Sequence, residues 1–150
     1  MPSSYTCLRY HLIWSTKHRE SLIVDEFRDR LFEYIGGILR GHGGKLLAAG
    51  GMPDHVHLLA DVSKQQAIAD AVRDIKSNSS GWIHETFPHH RSFAWQTGYG
   101  AFTVSYSNVE TVKRYIANQA EHHRVRSFQE EFVEFLRKHE VEYEVKYLWE

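Results

Sequence analysis

Apolar and polar side chains alternate over residues 5–16. Leu8, Tyr10, Leu12 and Trp14 fall on one side and Cys7, Arg9, His11 and Ile13 on the other, the period of a strand with one strongly apolar face. Over residues 25–41 the spacing lengthens. Phe27, Leu31, Ile35, Ile38 and Leu39 form a helical stripe, and Gly41, Gly43 and Gly44 supply the stop. Residues 45–49 predict a short second strand that turns through Gly50-Gly51-Met52-Pro53. Residues 55–62 alternate again, with Val56, Leu58, Ala60 and Val62 apolar. Ser63-Lys64-Gln65-Gln66 has the form of a capping box and predicts a helix whose buried stripe runs Ala67, Ala71, Val72, Ile75 and on toward Trp82. After a loop near Pro88-His89-His90, residues 99–105 give a fourth strand.

The order βαββαβ predicts an α+β, ferredoxin-like (split βαβ, RRM-like) fold, an antiparallel four-stranded sheet with two helices on one face. Two more helices follow, each behind its own box. Ser107-Asn108-Val109-Glu110 opens one running to about residue 123, and Ser127-Phe128-Gln129-Glu130 opens another carrying Phe128, Phe132, Phe135 and Leu136. They are expected to cover the other sheet face or a partner. Residues 140–147 alternate like a strand and read equally as an extended arm.

Composition narrows the class. At 150 residues with 42% hydrophobic content, the chain is expected to form a single domain over residues 1–150: a core at about 5–106, a helix at about 108–123, and a C-terminal helix and tail at about 127–150. Cys7 is the only cysteine, so neither a disulfide scaffold nor a cysteine-based zinc site is supported, and a reducing cytoplasm is the expected location. The start, Met1-Pro2-Ser3-Ser4-Tyr5, lacks the pattern of a signal peptide, and no run of about 18 apolar residues predicts a membrane span. The net charge of −1 is uneven, because residues 130–150 hold seven Glu against three Lys/Arg and leave residues 1–129 at +3. Eleven histidines add charge that phosphate would draw out near neutral pH.

The residues able to do chemistry lie in two places. On a strand, His55 and His57 project to the same side while Val56 and Leu58 face the opposite way. Two neutral imidazoles so placed suit a divalent ion with positions open for oxygen ligands; alone, an H-x-H pair reads as well as polar lining. On the third helix Tyr115 and Gln119 are one turn apart, His122 extends their strip, and Val109, Val112 and Ile116 form the neighbouring apolar stripe. Alone, that tyrosine reads as a core residue with a bonded hydroxyl, and His122-His123-Arg124 as a polar helix end.

Taken together, Met52-Pro53-Asp54-His55-Val56-His57-Leu58-Leu59, Trp95-Gln96-Thr97-Gly98-Tyr99-Gly100-Ala101-Phe102-Thr103-Val104-Ser105 and Tyr115-Ile116-Ala117-Asn118-Gln119-Ala120-Glu121-His122-His123 resemble the three signatures of the small HUH single-tyrosine transposases of insertion sequences and REP-associated elements. The resemblance implies a homodimeric enzyme that cleaves and rejoins single-stranded DNA at hairpin-marked ends. It places the nucleophile at Tyr115 and the metal ligands at His55, His57 and Gln119, with a tyrosine helix that one subunit can lend to the other. The first C-terminal helix is then the one that carries the nucleophile.

A phenol of pKa near ~10 is a weak nucleophile, so the chemistry calls for Mg²⁺ or Mn²⁺ to polarise the phosphate and assist departure of the 3′ oxygen. A 5′-phosphotyrosine would conserve the bond energy for rejoining without ATP, consistent with the lack of a phosphate-cradling Gly-Lys-Ser/Thr loop. The glycines at 36–37, 41, 43–44 and 50–51 read as turns and close packing instead. Candidate contacts to the DNA backbone are Lys17, His18, Arg19, Lys76, His89, His90, Arg91, Arg124 and Arg126. His11 could touch phosphate or be a satisfied sheet histidine. The alternatives are a domesticated REP-processing protein, a replication-initiator or relaxase-like nickase, and a non-catalytic module stacking bases on exposed sheet aromatics.

Overall fold

The computed structural model describes residues 3–150, so Met1 and Pro2 of the leader reading lie outside the described residues. Four strands, β1 (Arg9–Ser15), β2 (Lys45–Met52), β3 (His55–Asp61) and β4 (Gly100–Thr103), form one antiparallel sheet in the order β2-β3-β1-β4. With α1 (Arg28–Gly41) and α2 (Ile68–Thr86) on one face, this is the split βαβ arrangement that the alternation predicts. The first strand begins at Arg9 rather than at residue 5, since its partners β3 and β4 extend only to Asp61 and Thr103.

The register sorts the side chains. Leu12 faces Leu58 and Trp14 faces Val56, and these four are buried with Leu31, Ile35, Val72 and Ile75 from the two helices. One residue out of phase, Ile13 faces His57 and Ser15 faces His55, so the histidines are turned away from that core. On their side α5 (Phe128–Lys138) lays Phe128, Phe132 and Leu136 over Ile13 and Phe102. The C-terminal helix therefore covers the second sheet face, closing what would otherwise be an open platform.

Further boundaries differ from the sequence expectation: β2 continues through Gly50 and Gly51 to Met52, where a turn was expected, pairing with Val56 and His55, and β4 is confined to Gly100–Thr103. The Ser63 box does not cap α2, which starts at Ile68 behind Ala67; Ser63 Oγ instead accepts from Gln65 N at 3.2 Å within a turn. Ala67 is exposed, and Trp82 is half-buried, stacked on Tyr34 at 4.9 Å. The helix behind Ser107 has Asn108 at its N-cap with no side-chain bond, and it does not run to residue 123: α3 (Val109–Ala117) stops at Asn118 and α4 (Gln119–His122) follows as a separate short helix. The Ser127 box does form, with Ser127 Oγ accepting from Glu130 N at 3.2 Å. Residues 140–147 make no strand; a 3-10 turn at Val145–Tyr147 leads to Trp149, which packs on Phe128 and Phe132.

Candidate active site

The β2–β3 hairpin delivers the two histidines. β3 starts at His55 straight after the turn through Pro53 and Asp54, and period two places His55 and His57 on the face under α5. α3 reaches this face because Gly50 has no side chain. A Cβ there would meet the Ile116 carbonyl oxygen at 2.7 Å, so only glycine lets the helix backbone lie against β2.

The four residues singled out as nucleophile and ligands meet within one chain. Gln119 Oε1 stands 3.0 Å from His55 Nε2. The Tyr115 ring lies 5.8 Å from that of His57. His55 and His57 have no exposed surface and Gln119 is 2% exposed, whereas Tyr115 is half-buried and borders a cleft of about 180 Å³ also lined by His11, Thr111, Val112, Arg126 and Lys138.

Two further residues enter the site. Glu131 of α5 is wholly buried, with Oε1 2.8 Å from His57 Nε2 and 3.7 Å from His55 Nε2, while Oε2 accepts the Tyr115 hydroxyl. His123, half-buried just after α4, brings Nε2 to 3.1 Å from Gln119 Oε1 and 3.3 Å from Glu131 Oε1. The sequence carried a signal for Glu131: it lies in the apolar stripe between Phe128, Phe132 and Phe135, where an unpaired acid is costly. His123 had no comparable signal, because its position depends on the break at Asn118. His122, expected on the tyrosine strip, stacks on the Tyr115 ring at 4.3 Å.

Each imidazole is held from behind. His55 Nδ1 bonds Asp54 Oδ1 at 2.7 Å, His123 Nδ1 bonds the Arg126 carbonyl at 3.0 Å, and His57 Nδ1 bonds His11 Nε2 at 2.8 Å. A carbonyl or carboxylate only accepts, so Nδ1 of His55 and of His123 carries the proton, and in the neutral ring Nε2 presents a lone pair to the site. Ionised Glu131 only accepts, so in the metal-free protein His57 Nε2 donates to it and His57 Nδ1 accepts from His11 Nε2. His11 is thus a satisfied sheet histidine, 3% exposed, that braces His57.

Burial sets the protonation states. It drives the His57 imidazole down to about 4 despite Glu131 beside it, and it drives His11 down to about 3, with His57 adding to the effect. Burial also pushes the Tyr115 phenol above its ordinary value, and the Glu131 carboxylate pushes it further. For Glu131 burial acts upward, but the hydrogen bond and charge of His57, with the Tyr115 hydroxyl, outweigh it and hold the group ionised.

The donors fit a divalent cation. With the rings neutral, the Nε2 atoms of His55 and His123 and the Oε1 atoms of Gln119 and Glu131 are lone-pair bearers facing one another, and a cation reconciles them. Nitrogen and oxygen donors are also what such ions take.

The remaining predicted contacts scatter. Lys76 is committed inside the fold: its ammonium donates to the carbonyls of Gln96, Thr97 and Gly98 at 2.9, 3.1 and 2.7 Å. This anchors the segment that carries the second motif, whose Trp95 packs on Trp14 and whose Gln96 side chain accepts from Ser15 N at 2.7 Å. That motif supports the sheet and stays outside the site. His89 and His90 both bond Glu26 at 3.0 Å, and Arg124 pairs with Glu121 at 2.8 Å. Arg19 lies over the Trp149 ring, and Lys17 and Arg91 are exposed. Arg126 stands 3.5 Å from the Tyr115 hydroxyl and pairs with Glu134. Among the described residues no helix is long and apolar enough to cross a membrane.

A profile of the family described as IS200-like transposases matches residues 4–119. The ISDra2 transposase TnpA of Deinococcus radiodurans is 33% identical over 117 residues, spanning 75% of this chain and 84% of that protein. A crystal structure of a Deinococcus radiodurans R1 protein described as a transposase shares 35% identity at a TM-score of 0.62, covering 79% of this chain and 95% of that one. A REP-associated tyrosine transposase bound to a REP hairpin has the same fold, with a TM-score of 0.60 over 82% of this chain and 73% of that one at 15% identity. The family match ends at Gln119, so His123, Arg126 and Glu131 lie beyond it.

Proposed function

The chain belongs to the IS200-like transposase family, and from that premise we propose that it cleaves and rejoins single-stranded DNA through a 5′-phosphotyrosine at Tyr115. The observation that carries the reading is the meeting of Tyr115 with His55, His57 and Gln119 around one buried point, the phenol alone bordering an open cleft.

In the resting enzyme the phenol is neutral, and Glu131 Oε2 and Arg126 fix its direction. As the bond from Tyr115 Oη to phosphorus forms, the bond from phosphorus to the 3′ oxygen breaks, and that oxygen takes a proton from water to leave as a 3′-hydroxyl. The phenol oxygen turns strongly acidic in that step, so its proton passes to the nearest acceptor, Glu131 Oε2, although that carboxylate is a weak base beforehand. The Arg126 guanidinium is placed to offset charge on the phosphoryl oxygens. A divalent cation, Mg²⁺ or Mn²⁺, held by His55, His57 and Gln119 would polarise a phosphate oxygen and ease departure of the 3′ oxygen. The reverse attack by a 3′-hydroxyl regenerates the tyrosine and joins strands.

The expected substrate is an end marked by a hairpin, in keeping with the fold relative solved on a REP hairpin. Lys17 and Arg91, exposed and without a side-chain partner in the ion pairs described, remain candidates for the DNA backbone; Lys76 does not. Incubating the protein and Mn²⁺ with single-stranded DNA containing the hairpins that flank its own gene tests this. The wild type should release a 3′-hydroxyl fragment and Tyr115→Phe should lower cleavage by at least ~10³-fold; cleavage retained in that variant would contradict the assignment.

A domesticated REP-processing enzyme or an initiator-like nickase would use the same residues and differ only in the DNA it meets. The base-stacking module loses support, because α5 occupies the sheet face such a module keeps open.

A further inference from the structure

We propose that His123 and Glu131 are ligands of the same cation as His55, His57 and Gln119, making this a five-donor centre that selects a transition metal such as Mn²⁺ over Mg²⁺. The inference rests on the metal-site reading above and adds two residues beyond the segment that the family profile matches.

The spacing supports it. Donors sharing an ion with bonds of about 2.0–2.2 Å stand roughly 3.0–3.5 Å apart when adjacent. Around this point the separations are 3.0 Å for His55 Nε2 to Gln119 Oε1, 3.1 Å for His123 Nε2 to Gln119 Oε1, and 2.8, 3.3 and 3.7 Å from Glu131 Oε1 to the Nε2 atoms of His57, His123 and His55.

Orientation supports it independently. All three rings turn Nε2 inward and have Nδ1 engaged outward, by Asp54, His11 and the Arg126 carbonyl. This is the backing that fixes the direction of a metal-ligating histidine. Gln119 donates its Nε2 to Glu131 Oε2 at 3.4 Å, which leaves its Oε1 to face the imidazoles.

The donor chemistry then sets the metal. Mg²⁺ prefers oxygen ligands and keeps several waters, whereas three imidazoles and a carboxylate in a buried site suit Mn²⁺, Co²⁺ or Zn²⁺. Glu131 joins the two functions of the site, because its second oxygen holds the nucleophile. α5 therefore supplies part of the centre and is more than a lid over it.

Metal-free full-length protein titrated with Mn²⁺, with the free ion followed by electron paramagnetic resonance, tests the ligand set without relying on cleavage. One ion should bind per chain. Glu131→Ala and His123→Ala should each weaken binding at least ~10-fold, Glu131→Asp should recover part of the loss, and His57→Ala should abolish it. Co²⁺ bound to each folded variant should give a visible spectrum different from that of wild type. If Glu131→Ala binds Mn²⁺ as tightly as wild type or more tightly, the carboxylate is a plug that the ion must displace and the inference is overturned, while the His55, His57 and Gln119 site stands. Binding that survives His57→Ala overturns that site itself.

Discussion

The three imidazoles at the site share one device: the nitrogen facing away is occupied, so the nitrogen facing in is fixed in direction. For His55 the partner is Asp54, the residue just before it in the chain, whose own carbonyl is held by Thr16 N at 2.9 Å while its carboxylate is left to the imidazole. Asp54→Ala should therefore lower Mn²⁺ affinity ~10–100-fold with little loss of folding stability, which parallel metal titration and urea denaturation would resolve. A second consequence is a pH dependence. In the unfolded chain His11 and His57 take up protons near ~6.5, but in the fold only at about 3 and about 4. Between these limits the unfolded state binds more protons, so the metal-free protein should lose stability as the pH falls from ~6.5 toward 4, by up to ~1.4 kcal/mol per pH unit for each group. Glu131, His55, His123 and His139 face the same pair, and the ionised Glu131 carboxylate adds a loss of the same sign as it is protonated. Urea midpoints measured at pH 7 and pH 5 should differ accordingly; equal midpoints would mean that these rings take up protons in the fold at the same pH as in the unfolded chain.

α5 is the element on which the site depends most and the one least visible beforehand. Its docking rests on Phe132, 5% exposed, and on Gly100 of β4, where a Cβ would meet the Phe132 ring at 2.8 Å. Phe132→Ala should cost about 3–5 kcal/mol if α5 unfolds with the domain; two separate transitions, with the sheet core retained, would show α5 to be an independent cover. The fold was legible because strand and helix periods differ sharply, and the H-x-H pair because residues two apart on a strand share a face. The break at Asn118 was not. Nothing between residues 109 and 123 is glycine or proline, and local propensity favours one continuous helix; with the break, the side chains of Gln119 and His123 are both turned into the site. Glu131 stood in an apolar stripe, and what was missing was knowledge of what that stripe would cover. The capping boxes show the same limit: the Ser127 box forms as written, while those at Ser63 and Ser107 yield to the turns in which they sit.

At the scale of the molecule, both halves of the site come together in one chain, where the resemblance allowed a tyrosine helix exchanged between subunits. Mixing Tyr115→Phe with His57→Ala protein should then leave cleavage at background, since neither chain holds a whole site; recovery to about a quarter of the wild-type rate at equal total protein would establish exchange of α3 within a homodimer. Either outcome preserves the proposed chemistry, which hinges on one covalent bond. Mass spectrometry of peptides from protein incubated with single-stranded hairpin DNA and Mn²⁺ reads that bond directly. Nucleotide mass attached at Tyr115, absent when metal is withheld, is the predicted result; DNA attached at any other residue, or cleavage with no attachment, would contradict it.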